Sequence, residues 1–168
     1  MFSKINLKSI LEKVKRGNRT GQDYGPNNIL FLDYDGVISL DFSLETFRPV
    51  FDPDCMANVN RLCREFDLKI VVTSSWRDMD DYAEMLYENG LDKQIKVMGK
   101  TDDIYGSREK EIEHYLEEHG YKDCFIILDD GPLGKLSDHL VRTFCTVGFD
   151  EERYAEAVRL LKEQKGNE

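Results

Sequence analysis

The sequence predicts an α/β fold in which a central, mainly parallel sheet is flanked by helices on both faces, giving three layers. Short apolar runs, such as 29–33 and 125–128, alternate with amphipathic stretches of helical length. Strands separated by helices of this length favour parallel pairing with a helical layer on each face. A length of 168 residues, with 40% hydrophobic and 33% charged residues, suits one globular domain with a substantial core.

Residues 1–27 are predicted to form a basic helix and linker that precede the main domain, 28–168. Apolar residues recur at helical spacing between residues 3 and 16, and turn formers dominate 16–28. Six Lys and Arg residues against two acids give residues 1–27 a net charge of +4, whereas the remainder carries −14. A basic arm on an acidic domain favours either a solvated helix face or a contact with nucleic acid or another partner.

From residue 28 onward, each predicted element has a local signal. Asp52 can cap the first helix, and Pro53 suits its first turn. Ser107 can cap a later helix, while Gly90 and Gly120 follow the ends of two helices. The predicted elements are strand 29–33, helix 54–66, β-branched strand 69–73, helix 78–89, strand 95–98, helix 107–119, strand 125–128, a strand within 141–147 and a helix from 150 to about 163.

The cysteines and the hydropathy pattern indicate a cytoplasmic protein. Cys55, Cys63, Cys124 and Cys145 match no zinc-binding spacing, and we expect thiols in the core, which is typical of a reducing compartment. The longest apolar runs, such as 29–32, are too short to cross a membrane, and the N-terminus lacks the apolar core of a secretion signal. We therefore expect no membrane contact.

Paired acids follow two of the predicted strands. Asp33 and Asp35 leave the first strand, and Asp129 and Asp130 follow the strand 125–128. In parallel α/β sheets, ligands collect outside the carboxyl ends of the strands. One carboxylate of a pair can attack a phosphorus atom while the other moves a proton to and from the leaving oxygen. Taken alone, such a pair fits a solvated, capped turn equally well.

Hydroxyls and cations suited to phosphate lie at two other predicted boundaries. Thr73 and Ser74 follow the second parallel strand, where hydroxyl and N–H groups can hold phosphate oxygens. Arg108 and Lys110 occupy the first turn of the helix 107–119, where a cation opposes the helix dipole unless a bound anion rewards it. The sequence does not decide which of these two cations points inward.

The acids together favour a magnesium site. Asp33, Asp129 and Asp130 would form an oxygen-rich cluster, and carboxylates this close repel one another unless a divalent cation binds them. The cation would also neutralise phosphate charge. The order of the acids argues against receiver domains of signalling systems, because their acceptor Asp follows the third strand rather than the first.

The ordered set resembles the haloacid dehalogenase-like (HAD) hydrolase superfamily over residues 28–148. The matching motifs are FLDYDGV at 31–37, VVTS at 71–74, Arg108 or Lys110, and ILDD at 127–130. The string TSSWR at 73–77, followed by R-x-x-E-I at 108–112, resembles a smaller, capless branch that includes HAD domains of nucleic-acid repair systems.

This resemblance implies a Rossmann-like domain and a phosphatase mechanism. Asp33 would be the nucleophile that forms an aspartyl-phosphate. Asp35 would be the general acid and base, and its backbone carbonyl would bind Mg²⁺. Asp129 would bind Mg²⁺ directly, and Asp130 would do so directly or through water.

The resemblance also assigns the phosphate contacts. Thr73, with Ser74, would hold the phosphoryl oxygens, and Arg108 or Lys110 would steady the nucleophile and the phosphate. The third motif is usually a lysine, so Arg108 would be a departure from the pattern, although a guanidinium also binds phosphate.

Neither possible insertion point, 36–69 or 75–107, has room for a separate cap domain. An open site favours a large phosphorylated substrate, such as a nucleic-acid end or a phosphoprotein, although a lid borrowed from another subunit would admit small substrates. Three functions remain: a magnesium-dependent phosphatase, which we favour, a phosphate-binding regulatory module without useful turnover, and a transferase to an acceptor other than water.

Some side chains near the motifs carry alternative expectations. Trp76 either lines the mouth of the site, where it could stack on a base, or fills the core beside the second parallel strand. Tyr34 should point away from the acids into packing. His114, His119 and His139 lack metal-ligand spacing, and we expect surface positions for them.

Overall fold

Strands and helices alternate along the described part of the chain, which a computed structural model defines for residues 28–104, 106–120 and 124–166. The predicted N-terminal helix and linker, 1–27, lie outside the described residues, so the domain boundary at residue 28 stays a prediction. The elements are β1 (Asn28–Leu32), β2 (Ser39–Ser43), β3 (Arg48–Phe51), α1 (Pro53–Phe66), β4 (Lys69–Val72), a 3-10 helix (Ser75–Asp78), α2 (Tyr82–Glu88), β5 (Val97–Lys100), α3 (Arg108–Glu118), β6 (Cys124–Asp129), a second 3-10 helix (Gly134–His139), β7 (Leu140–Arg142) and α4 (Glu151–Gly166).

β1 lies at the centre of a five-stranded sheet of order β5-β4-β1-β6-β7, in which every neighbouring pair is parallel. Leu32 is in register with Val72 on one side and with Leu128 on the other. The bonding continues past these residues, because the N–H of Thr73 donates to the Leu32 carbonyl and that of Asp33 donates to the Leu128 carbonyl. The carboxyl ends of β1, β4 and β6 therefore meet at one edge. The predicted parallel α/β fold is confirmed.

Alternate side chains of the sheet enter two separate cores. Leu30 and Leu32 of β1 pack with residues of α1, α2 and α4 on one face. Ile29 and Phe31 pack with residues of α3 on the other face. Because both faces are covered, the strands consist of nearly continuous apolar residues rather than alternating polar and apolar ones.

The antiparallel hairpin β2–β3 is missing from the elements predicted from sequence, which include none between the strand 29–33 and the helix 54–66. Phe42 and Val50 are exposed, so the hairpin lacks the alternating burial by which a half-buried strand is recognised from sequence. The hairpin is inserted between β1 and α1. Among the described residues, neither this insertion nor the segment between β4 and α3 forms a separate cap domain.

Other element boundaries also differ from prediction. The helix predicted at 78–89 is interrupted, because the chain first forms a 3-10 helix and α2 begins only at Tyr82. β5 lies two residues later than predicted, and β7 ends at Arg142. The chain then turns back on itself through an isolated bridge between Phe144 and Gly148. Cys145 lies in this turn and is exposed, contrary to expectation, whereas the other three cysteines are buried.

We expect Gly148→Ala to destabilise the domain by about 2–4 kcal/mol, because it adds steric overlap to the cost of left-handed backbone. Gly148 has φ +62°, and a Cβ there would lie 2.5 Å from the Val37 carbonyl oxygen and 2.9 Å from the Cys55 Sγ. Gly90→Ala is the matched control, because its φ is also positive but its nearest neighbour would be Met56 Cγ at 3.7 Å. Urea unfolding measures both, and equal losses would contradict the packing argument.

Candidate active site

The first predicted acid pair lies where β1 ends. Asp33 is 7% exposed, and its Oδ1 accepts a hydrogen bond of 2.8 Å from the Tyr34 N–H. Asp35 lies at the exposed mouth, where its Oδ2 accepts a hydrogen bond of 2.9 Å from the Trp76 indole N–H. Tyr34 is fully buried between them and donates its hydroxyl proton to the Tyr82 carbonyl, as its predicted packing role requires.

The second predicted pair meets Asp33 from the neighbouring strand. Asp129 is the last residue of β6, is 5% exposed and accepts a hydrogen bond of 2.9 Å from the Gly131 N–H. One carboxylate oxygen each from Asp33, Asp129 and Asp130 lies within 4.8 Å of the others. The three acids that the sequence predicts to cluster therefore do so, and they could hold a metal ion.

Burial disfavours ionisation of Asp33 and Asp129 and so raises the pKa of both. Burial raises the pKa of Asp33 to about 7, with Arg108 opposing the shift and Asp129 reinforcing it. Burial also raises the pKa of Asp129, again against the effect of Arg108. Partial desolvation raises the pKa of Asp35, although the hydrogen bond from Trp76 lowers it. Oxygen donors with excess negative charge match the preference of Mg²⁺, a hard cation.

Arg108 is the third-motif cation that lies among these acids. Its Nη1 is 3.1 Å from Asp129 Oδ2 and 3.5 Å from Asp33 Oδ1. Ser107 caps α3 through a hydrogen bond from the Lys110 N–H, as predicted, which fixes the first turn that carries Arg108. Lys110 itself is exposed.

The two hydroxyl residues beyond β4 have different surroundings. Thr73 and Ser74 are both fully buried. Thr73 Oγ1 accepts a hydrogen bond of 3.0 Å from Arg108, which places the hydroxyl beside the acids. Ser74 Oγ instead accepts from the Trp76 backbone N–H at 3.3 Å and caps the 3-10 helix. Both predicted phosphate-binding residues therefore lie at the end of β4, where Arg108 links the Thr73 hydroxyl to Asp129 and the Ser74 hydroxyl is engaged by the 3-10 helix.

Comparison with known protein families matches residues 29–154 to the family described as the HAD domain in Swiss Army Knife RNA repair proteins. The chain belongs to this family. The match extends from β1 into α4 and includes every site residue described above. No curated protein and no solved structure matches the chain. The family supports a hydrolase of the HAD type and confirms the resemblance drawn from the motifs.

A buried ion pair in this HAD domain was not singled out by sequence reasoning. Arg77 and Glu111 are 6% and 3% exposed, and Arg77 Nη2 donates to Glu111 Oε1 at 3.0 Å. Arg77 Nη1 also donates to the carbonyls of Thr73 and Ser74, so the pair joins the end of β4 to α3. Glu111 Oε2 lies 3.5 Å from Arg108 Nε. The i,i+3 spacing of Arg108 and Glu111 could have indicated their contact, but Arg77 is 34 residues from Glu111 and no local pattern links that pair.

Trp76 combines its two predicted positions. It is partly buried and packs against the core on the face of the sheet that α1, α2 and α4 cover. Its indole N–H bonds Asp35, and its ring faces Phe42 of the hairpin at 6.2 Å between centroids and an interplanar angle of 24°. Trp76 therefore packs against the core near the end of β4 and also borders the site.

A second group of possible ligands lies elsewhere on the surface. Asp102, His114 and Glu118 are exposed, and His114 Nε2 is 3.8 Å from a carboxylate oxygen of each acid. They line a cavity of about 310 Å³ between β5 and α3 that none of the strand-end acids borders.

The other two histidines contact aromatic rings. His119 is exposed and His139 is partly buried, and both rings stack on aromatic side chains. Among the described residues, no helix is long and apolar enough to cross a membrane.

We expect the metal-free HAD domain to lose stability as pH rises from about 4 to 7. The pKa of Asp33 is raised from 3.8 to about 7, so across this range the folded state holds a proton that the unfolded state releases. Asp33→Asn should remove a loss on the order of 2–4 kcal/mol at pH 7.5 and change little near pH 4. Asp80→Asn, at an exposed acid, is the control.

Magnesium should reverse this trend, because its ligands must be deprotonated before they bind. The thermal shift caused by Mg²⁺ should therefore be larger at pH 7.5 than at pH 5 in the wild type. A shift that is independent of pH, or that is unchanged in Asp129→Asn, would contradict the assignment of the buried carboxylates as the cation site.

Removing the charge of Glu111 should destabilise the domain strongly, because the buried guanidinium of Arg77 would keep only Asp103 as a counterion, and Asp103 is 67% exposed and 3.9 Å away. Glu111→Gln is expected to cost about 3 kcal/mol. Glu163→Gln is the control: Glu163 pairs with Arg159 at 2.8 Å, but both side chains are more than half exposed, so we expect less than about 1 kcal/mol. Similar losses in chemical denaturation would show that the buried pair contributes no more than a surface pair.

Proposed function

We propose that this HAD domain is a magnesium-dependent phosphohydrolase with Asp33 as its nucleophile. The observation that carries the proposal is the meeting of Asp33, Asp129 and Asp130 with one cation, Arg108, at the carboxyl edge of the sheet. A cluster with only a structural role would lower the stability of the fold, because buried carboxylates without enough opposite charge around them are unfavourable.

The donor set fits Mg²⁺. All three side chains offer oxygen, and they converge at distances that one ion can bridge. Asp33, Asp129 and Asp130 would hold the ion, together with the backbone carbonyl of Asp35. When bound, Mg²⁺ would neutralise negative charge on the phosphoryl group during transfer.

Two carboxylates would divide the chemistry. A carboxylate oxygen of Asp33 forms a bond to phosphorus as the bond from phosphorus to the leaving oxygen breaks, which gives an aspartyl-phosphate. Asp35 donates its proton to that leaving oxygen and then accepts a proton from the water that releases phosphate from Asp33. The raised pKa of Asp35 suits the first step, since it keeps a proton available nearer neutral pH.

Phosphoryl oxygens would be held by groups that already face the acids. Arg108 Nη1 and the Thr73 hydroxyl lie 3.0 Å apart and can turn to a bound phosphate. Ser74 would help to bind phosphate indirectly, because its side chain caps the backbone turn that follows β4. Arg108 is now the cation beside Asp33 and Asp129. With ligands bound, magnesium would take over as the cation beside these acids, and the phosphate would become the anionic partner of Arg108.

The open edge favours a macromolecular substrate, and the family description supports a phosphorylated RNA end. No cap domain covers the acids among the described residues, so a terminal phosphate on a chain can approach. Contact between nucleic acid and the basic arm, 1–27, remains a prediction. A cytoplasmic location accords with RNA as the substrate.

Hydrolysis of an aryl phosphate and of 5′- and 3′-phosphorylated RNA, with and without Mg²⁺, tests the proposal. Wild type should release phosphate only with Mg²⁺. Asp33→Asn should fall to background, and Asp35→Asn should lose about 10²–10⁴-fold in kcat. Asp80→Asn, at an exposed acid, is the control for charge removal.

Full activity in Asp33→Asn would refute the mechanism. A folded wild type that binds Mg²⁺ but turns over none of these substrates would instead favour the regulatory, phosphate-binding alternative. Product formation with an added alcohol in place of water would indicate transfer to another acceptor.

A further inference from the structure

The large apolar side chains that are exposed among the described residues share a position in the topology. They fall in segments that follow the carboxyl ends of β1, β4 and β7: Phe42, Leu44, Phe47, Val50, Met79, Phe144 and Val147. We call this set of side chains the rim. Exposed apolar side chains can contribute to a binding surface, and Phe42 is tied to the site because its ring faces Trp76, which bonds Asp35.

The rim is aromatic where it meets the catalytic acid. Trp76 bonds Asp35 at 2.9 Å, and Phe42, which is 43% exposed, lies nearly parallel to the indole. Asp35 is the group that would protonate the leaving oxygen, so the leaving part of the substrate lies on the side bordered by Trp76. A flat, π-rich leaving group is therefore favoured there over a flexible aliphatic one.

We propose that Phe42 and Trp76 form a stacking platform for the base of the nucleotide that bears the terminal phosphate. The inference rests on the proposed phosphohydrolase function and specifies its substrate: a single-stranded nucleic-acid end. Base–aromatic stacking tolerates any base, because every base has a π face. The platform would thus recognise an end without reading its sequence.

Charge at the rim also suits a nucleic-acid strand. Arg142 ends β7, is exposed and donates its Nε–H to the Asp130 carbonyl at 3.0 Å. Its guanidinium lies beside the acids and next to the turn that exposes Phe144. A cation there can meet the phosphodiester that joins the terminal nucleotide to the next one. The acidic remainder of the domain would confine the strand to this edge.

The kinetic test compares Phe42→Leu with Phe47→Leu. The two changes are chemically identical and lie on the same hairpin, and Phe42 is the residue whose ring faces Trp76. Phe42→Leu should raise the KM for a phosphorylated dinucleotide about tenfold, whereas Phe47→Leu should not. Neither variant should alter kcat/KM for glycerol phosphate, which has no ring to stack.

An abasic terminal nucleotide separates stacking from general contact. Wild type should lose at least as much affinity on removal of the base as Phe42→Leu loses with the base present, because the base also contacts Trp76. The variant should lose less affinity than wild type when the base is removed. If wild type binds complete and abasic ends equally, the base platform is wrong, and the rim serves another class of partner, such as a protein.

Binding can be measured without turnover, because Trp76 is the single tryptophan of the chain. Titrating folded Asp33→Asn with the dinucleotide in Mg²⁺ should quench its fluorescence saturably, and the added change Phe42→Leu should weaken that titration about tenfold. If the wild type shows no phosphatase activity, but the quenching is present and Phe42→Leu weakens it, the proposed function is rejected and the platform is kept. Turnover of the dinucleotide with equal KM in both variants would overturn the platform alone.

Discussion

The burial of neighbouring carboxylates at the ends of β1 and β6 is the constraint on which the rest of the site depends. Parallel register places Asp33 beside Asp129, and burial deprives both of water. A charge in such surroundings costs free energy unless an opposite charge is near. Arg108 supplies part of that compensation, and its position follows from the way α3 is held. The remaining imbalance is what makes the edge receptive to a divalent cation.

The support for Arg108 comes from a chain of contacts between elements distant in sequence. Arg77 fixes the carbonyls at the end of β4 and pairs with Glu111, whose second oxygen faces Arg108. Gly36 lies against Asp130, the third acid of the cluster. It has φ +76°, and a Cβ there would lie 2.5 Å from Asp130 Oδ2. Glycine at this turn therefore leaves room for the Asp130 carboxylate. The hairpin that follows carries Phe42 to Trp76, so the same turn also brings aromatic side chains to the mouth.

Much of the fold and site follows from periodicity and from the rule that ligands collect at strand ends. Asp33, Thr73 and Asp129 could be placed together because each leaves an apolar run, and parallel strands end at the same edge. The hairpin could not be predicted, since its strands expose Phe42 and Val50 and lack regular alternation. The Arg77–Glu111 pair spans 34 residues, and partners that distant have no local signal. The choice of Arg108 over Lys110 likewise required the orientation of α3.

The most direct test of the central claim is to identify the residue that carries phosphate during turnover. The wild type would be mixed with a phosphorylated substrate and Mg²⁺, quenched in acid within one turnover and reduced with borohydride, which converts an aspartyl-phosphate to homoserine. Peptide mass spectrometry should then find homoserine at position 33, only with Mg²⁺ and substrate both present. Modification at another residue, or rapid turnover with position 33 unmodified in every quenched sample, would contradict a mechanism through Asp33.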